Sequence, residues 1–224
     1  MKTFRNAVLA LAVILVSVPV ISAQDLSRYR TFALGTSLAT VSLQVGQDAH
    51  QATMIHESPA VIQQVTNWPL DTSRSPAAAE PVSQIVFSFY NGALYKIFVT
   101  YDDHATEGLT EDDMVQAISA RYGTGIRLYP EISLPTPDVY PRRDKVIARW
   151  SDSENSVSLI RSNTLDSFGL VVLSKRLHAQ AIAAAIEAER LDKEQAPQKE
   201  IDRQKKEVAD LEVAREKNKK ALRP

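Results

Sequence analysis

The chain has 224 residues, with 26 Lys and Arg against 27 Asp and Glu, no cysteine, 44% hydrophobic residues and 24% charged ones. The missing cysteine excludes a disulfide framework, thiolate zinc sites, iron–sulfur ligation and cysteine nucleophiles. A net charge of −1 lacks the basic excess of a nucleic-acid-binding chain, and seven Gly with eleven Pro are too few for a collagen-like or low-complexity one. The expectation is a globular body, long enough to bury around 70% of its unfolded surface.

Residues 1–23 read as an export signal. Lys2 and Arg5 precede an uncharged apolar run from Ala7 to about Ile21, and Ile21-Ser22-Ala23 leads into polar Gln24-Asp25. The run is short for a membrane span, which needs about 20 apolar residues, and Pro19 breaks it near its end. Cleavage after Ala23 is the expectation, an uncleaved N-terminal anchor the alternative. No cysteine follows to carry a lipid, and no second apolar stretch approaches membrane length. The expected mature chain carries 24 bases and 27 acids and is periplasmic or extracellular. Without disulfides, its core alone must hold it together.

The body, residues 24–176, reads as α+β: an antiparallel sheet with short packing helices. A first helix follows Thr36-Ser37, with Leu38, Val41 and Val45 on one side and Gly46 as its stop. A strand is expected at 60–67. The clearest element is a hairpin from Val82 to Asp102, where Asn91-Gly92 separates two β-forming runs and both turn residues need φ > 0. A two-residue turn pairs Phe89 with Leu94 and Ile85 with Phe98 on one face, Val86 with Ile97 and Tyr90 with Ala93 on the other. Both faces are mostly apolar, which calls for helix or tail on one and partial cover on the other.

A second helix follows Thr110, where Thr110-Glu111-Asp112-Asp113 resembles a capping box with Asp in place of Glu; Met114, Val115, Ile118 and Tyr122 form its inner face and Gly123 ends it. Strands are expected at 145–151, 156–162 and 167–174, with Asp152-Ser153-Glu154-Asn155 turning the chain between the first two. The two helices superpose at an offset of 77, setting Leu38 on Val115, Val41 on Ile118, Val45 on Tyr122 and Gly46 on Gly123. This suggests two α-βββ repeats, roughly 33–102 and 109–176.

The C-terminal part differs in composition. Residues 187–224 hold 11 bases and 10 acids, with no aromatic residue and no Gly. An Ala-rich helix over 177–196 is expected to end at Pro197, and a charged helical tail to fill 197–224. Ile201, Val208, Leu211 and Leu222 sit near coiled-coil spacing, but Gln204, Arg215 and Asn218 interrupt the seam. A weak coiled coil and a solvated single helix both remain open.

The run Tyr29-Arg30-Thr31-Phe32-Ala33-Leu34-Gly35-Thr36-Ser37-Leu38-Ala39-Thr40-Val41 gives an aromatic, then Leu-Gly-x-Ser-x-x-x-Val, with Gly46 beyond. It is similar to the helix entry of small outer-membrane-assembly lipoproteins of the SmpA/OmlA group, and to the units of β-lactamase inhibitory protein, which carries two of them. The run from Phe87-Ser88-Phe89-Tyr90-Asn91-Gly92 through Tyr101-Asp102 to Glu107-Gly108-Leu109-Thr110 resembles secreted bacterial proteins of unassigned function. The resemblance spans about 24–176 and implies a periplasmic interaction module. The chain departs from the lipoproteins in lacking the lipid-bearing cysteine.

Reactive motifs are sparse. Gly35-Thr36-Ser37-Leu38-Ala39 lacks the second glycine of a Gly-x-Ser-x-Gly elbow, although Asp166 and His178 lie downstream as a nominal acid and base. Ser37 stands too near the start of the mature chain for the strands that precede an elbow, and an N-cap explains it. His50, His56, His104 and His178 are scattered, and His56-Glu57 lacks the second His of a zinc helix. The acids Asp102, Asp103, Glu107, Glu111, Asp112 and Asp113 miss the calcium-loop pattern at Ala105 and Met114 and read as a helix start. Gly123-Thr124-Gly125 follows a helix, the wrong context for cradling phosphate. Tyr90, Tyr95, Phe98 and Tyr101 are either sheet packing or a partner-binding patch. The sequence therefore nominates no catalytic, cofactor-binding or metal residue. It points to a non-enzymatic interaction protein of the cell envelope, touching another envelope protein and no nucleic acid; the alternative is a small-ligand or lipid-binding module built on an apolar sheet face.

Overall fold

The computed structural model describes residues 24–68, 81–128, 144–162 and 167–222. The expected signal, 1–23, lies outside these residues. The fold is α+β, as its sequence pattern requires. After a small ribbon of β1 (Arg28–Tyr29) and β2 (Phe32–Ala33) come α1 (Leu38–Gln44), β3 (Thr53–His56), β4 (Ile62–Asn67), β5 (Val82–Tyr90) and β6 (Ala93–Tyr101). Then follow α2 (Glu111–Tyr122), β7 (Ile126–Arg127), β8 (Lys145–Ser151), β9 (Asn155–Arg161), β10 (Phe168–Ser174) and α3 (Lys175–Ala221).

Strands β3 to β10 form one antiparallel sheet in the order β3-β4-β5-β6-β10-β9-β8-β7. Read inward from either edge, the order gives the four strands after α1 and then the four strands after α2, meeting at β6 and β10. The repeat expected from the helices is thus present in the topology, with four strands per unit in place of three. The additional strand in each unit is the short outermost one, β3 or β7. A two-residue strand such as β7 is too short to show an alternating pattern.

The hairpin forms where the Asn-Gly pair places it, with Asn91 at φ 47° and Gly92 at φ 79°. Its turn is tied to its surroundings: Asn91 N–H donates to Val61 O at 2.8 Å and Leu38 N–H to Gly92 O at 2.9 Å. Phe89 pairs with Leu94 and Tyr90 with Ala93 as expected. Beyond these pairs the register slips by one, so that Ile85 meets Val99 and Val86 meets Phe98. The cause is a bulge. Ser88 pairs with Lys96, leaving Tyr95 as the extra residue, and Tyr95 joins the cluster packed beneath α3. An idealised two-residue hairpin cannot anticipate that insertion.

Cover lies on both faces. On one, Phe87, Phe89, Ile97, Leu159, Leu170 and Trp150 are buried with Val41 of α1 and Met114, Ile118 and Tyr122 of α2. Burial of each large side chain contributes about 1.5–3 kcal/mol. On the other, Ala181, Ala184 and Ala185 of α3 pack on Tyr95, Ile62 and Ala60. Ala181, Ala184, Ala185 and Ala188 fall at i, i+3, i+4 and i+7, one helical face of small residues that lets the helix axis approach the sheet closely.

Helix α3 corrects one boundary. The sequence predicts a break at Pro197, yet the helix runs unbroken from Lys175 to Ala221 with Pro197 inside it. Proline removes one i→i−4 hydrogen bond and crowds the preceding turn, at a cost of about 3 kcal/mol. Ion pairs hold the turns on either side. Arg190 bonds both Glu187, at 2.6 Å, and Glu194; Arg203 bonds Glu200 at 2.8 Å. Lys199 Nζ reaches Asp192 at 2.9 Å, spanning the proline directly. No helix among the described residues is long and apolar enough to cross a membrane.

Candidate functional site

Two regions remain once the packing is accounted for: the outer part of α3, and a cavity between α2 and the sheet.

Among the acids before and at the start of α2, Asp102, Glu111, Asp112 and Asp113 have structural partners. Thr110 and Asp113 form the expected capping box. Asp113 N–H donates to Thr110 Oγ1 at 3.2 Å, while Thr110 N–H and its hydroxyl donate to Asp113 Oδ2 at 2.8 and 2.6 Å. Those bonds hold the Asp113 carboxyl below the usual carboxylate range. Asp112 pairs with Arg127, and Glu111 lies 3.4 Å from Lys145 Nζ, tying the helix to the β7–β8 edge. Asp102 Oδ1 accepts from Ala105 N–H at 3.0 Å. The described residues hold no group of three or more His, Asp or Glu side chains placed to grip a metal ion.

Ser37 caps α1: Thr40 N–H donates to its Oγ at 3.2 Å. Its nominal partner His178 lies on α3 and stacks on the Tyr95 ring at 5.9 Å between centroids, and Asp166 lies outside the described residues. His50 and His104 are exposed and His56 is half-buried on β3. The Gly123-Thr124-Gly125 corner has a different use. Trp150 Nε1–H donates to Gly123 O at 2.6 Å, and a Cβ on Gly125 would sit 2.5 Å from the indole. Gly123 is at φ 80°, a left-handed conformation suited to a helix stop. This corner is a packing device.

The aromatic quartet is covered rather than displayed. Tyr95 is fully buried, Tyr90 and Phe98 are packed against separate clusters, and Tyr101 is largely enclosed by the main core.

The outer part of α3 presents the opposite picture. After Leu191, every residue from Asp192 to Leu222 is exposed. Among them are Ile201, Val208, Leu211, Val213 and Leu222, the last 83% exposed. The helix passes over the Tyr95, Tyr90 and Ile62 side chains, comes near Ile55 of β3, and then leaves the sheet. Thirty residues of helix at 1.5 Å rise make an arm about 45 Å long. Such an arm gains nothing from tertiary packing, so propensity and its own ion pairs must hold it.

The cavity is lined by Tyr29, Pro81, Tyr101, Ala105, Thr106, Leu109, Met114, Ala117, Ile118, Arg121, Tyr122 and Leu170, and has a volume near 280 Å³. Its polar groups come from three tyrosines, one threonine and one arginine. Tyr122 donates its hydroxyl to Arg28 O at 2.9 Å, fastening the N-terminal ribbon to α2. Burial pushes the phenol of Tyr101 well above its ordinary pKa, with Tyr29 and Tyr122 adding to the shift and Arg30 opposing it. Arg121 lies over the Tyr122 ring at 5.5 Å and is exposed at the opening. The sequence pattern missed this cavity because its walls come from four separate segments, and only Ile118, Met114 and Tyr122 share a recognisable spacing.

No family model, no curated protein and no solved structure matches this chain.

Proposed function

We propose that this chain is an exported, non-enzymatic interaction protein of the cell envelope, and that α3 is its contact element. One observation carries the reading: the whole stretch from Asp192 to Leu222 stands in solvent as helix, with apolar side chains exposed along it. An exposed helix carrying apolar residues at Ile201, Val208 and Leu211 is the form in which one chain offers a helix face to another. The export signal read in residues 1–23 supports the envelope location.

The interrupted seam limits the strength of any coiled coil, since Gln204, Arg215 and Asn218 occupy core positions. Affinity then rests on few anchors, with Val208 and Leu211 at the centre. The test compares the chain to Pro224 with one ending at Ala196, by light scattering coupled to size exclusion and by crosslinked capture from envelope extract. The full chain is expected to show a larger assembly or to retain a partner that Val208→Glu together with Leu211→Glu abolishes. Identical masses and identical captured proteins for all three would refute the assignment of α3.

The alternative of an apolar sheet face acting as an open cleft loses ground to the packing, because α1 and α2 cover one face and α3 covers the Ile62 and Tyr95 part of the other. Among the described residues, a cavity beside α2 offers room for a small ligand.

A further inference from the structure

We infer that the cavity between α2 and the sheet is a binding site for a small apolar molecule ending in an anionic group, with Arg121 gripping the anion at the opening. This inference is independent of α3, which lines none of the cavity.

The size comes first. A volume near 280 Å³ lies at the lower end of ligand pockets, which suits a molecule of about ten heavy atoms. The chemistry of the walls follows. The interior is formed by Met114, Ile118 and Leu170 with the rings of Tyr29 and Tyr101, surfaces that reward an aliphatic chain or a single ring. Leu170 is 1% exposed and marks the inner end.

The opening carries the specificity. Among the described lining residues Arg121 alone carries a formal charge at neutral pH, and it stands on the outer part of α2 beside exposed Ala117, one turn earlier on the same side. Its guanidinium lies over the Tyr122 ring at 5.5 Å and hydrogen-bonds the Tyr122 side chain, which holds the planar fork at the opening, and one such bond uses only part of its five N–H donors. Asp25 is an acid whose charge acts on this arginine, but it is committed to Arg28 at 2.8 Å and to the backbone and hydroxyl of Ser27. A carboxylate at the opening therefore meets a cation whose neighbouring acid is already neutralised, and charge-assisted hydrogen bonds to it are the strong kind.

The test titrates the purified full chain with octanoate and with octanol, equal in length and different in charge, by isothermal titration and ligand-observed NMR. Octanoate is expected to bind more tightly than octanol. Arg121→Ala should weaken octanoate about tenfold while leaving octanol within twofold, and Arg121→Lys should restore part of the loss. Ala117→Trp, at an exposed helix position that tolerates the change in fold, should block both probes by filling the opening, with the far-ultraviolet dichroism unchanged. Equal octanoate affinity in wild type and Arg121→Ala would overturn the assignment of the anion site. Binding of both probes undiminished by Ala117→Trp, or no binding of either at millimolar concentration, would overturn the cavity as a ligand site.

Discussion

The corner at the end of α2 permits a sharp test of how packing fixes this fold. Gly125 does not occupy a left-handed conformation, so an alanine there is not strained by its backbone. Its difficulty is Trp150. A Cβ would lie 2.5 Å from indole Cε2 and 2.8 Å from both Cζ2 and Nε1, so the ring has to move. Trp150 is 2% exposed and its Nε1–H bonds Gly123 O at 2.6 Å, which leaves it nowhere to go without breaking that bond. Overpacking costs about 1–3 kcal/mol and the lost hydrogen bond about 1 kcal/mol, so Gly125→Ala should destabilise by about 2–4 kcal/mol. Trp150→Leu should cost about 3 kcal/mol through the vacated volume and the unmatched carbonyl. Combined, the two should be less costly than their sum by about 1–2 kcal/mol, because leucine clears the space that the new methyl needs. Urea unfolding followed by far-ultraviolet dichroism measures all four corners of the cycle with one slope. Strict additivity, or a Gly125→Ala variant as stable as wild type, would refute the steric account.

Three further outcomes follow from the geometry. Pro197→Ala should recover the about 3 kcal/mol that proline costs a helix interior, seen as slower amide exchange over 190–201, while the unfolding midpoint of the body stays put; a matching rise in global stability would mean that arm and body unfold together. The Asp113 carboxyl titrates lower in the fold than in the unfolded chain because Thr110 bonds its ionised form. Its contribution is therefore present above about pH 4 and is lost as pH falls through the folded value, so Asp113→Asn should show a shallower acid loss of helix stability than wild type, and parallel acid profiles would contradict the cap. Tyr101 is held neutral by burial, so its contribution is complete below about pH 10 and is lost as pH rises further. Tyr101→Phe should then be less sensitive to alkali than wild type in stability measured between about pH 9 and 11, and an identical decline in both would contradict the buried phenol.

What the sequence reveals here follows from where short-range chemistry dominates. Ser37, Gly46, Thr110, Asp113 and Gly123 mark helix ends because each satisfies or terminates its own neighbouring backbone, and both helices lie where those residues place them. Asn91-Gly92 fixes the hairpin for the same reason. The matching spacing of Val41 and Ile118 exposed the repeat because one packing demand recurs in both units. The bulge at Tyr95 was hidden because it answers to α3, which lies eighty residues further along the chain. The continuity of α3 through Pro197 was hidden because a single residue announces the local penalty, while the ion pairs around that residue join positions four and seven apart. The cavity was least legible of all, since Tyr29, Pro81, Arg121 and Leu170 become neighbours only when the sheet has formed.

That one helix both clamps the sheet and extends beyond it makes α3 a lever. The alanine face from Ala181 to Ala188 is the fulcrum, and its small side chains set the inclination at which the rod departs. A tilt of about ten degrees at that fulcrum sweeps the far tip by about 8 Å, more than the spacing of one helical turn. Substituting a single fulcrum alanine with a bulkier residue would therefore re-aim everything attached to the tip without altering one residue of the arm, and the reach of this molecule is decided where it is anchored.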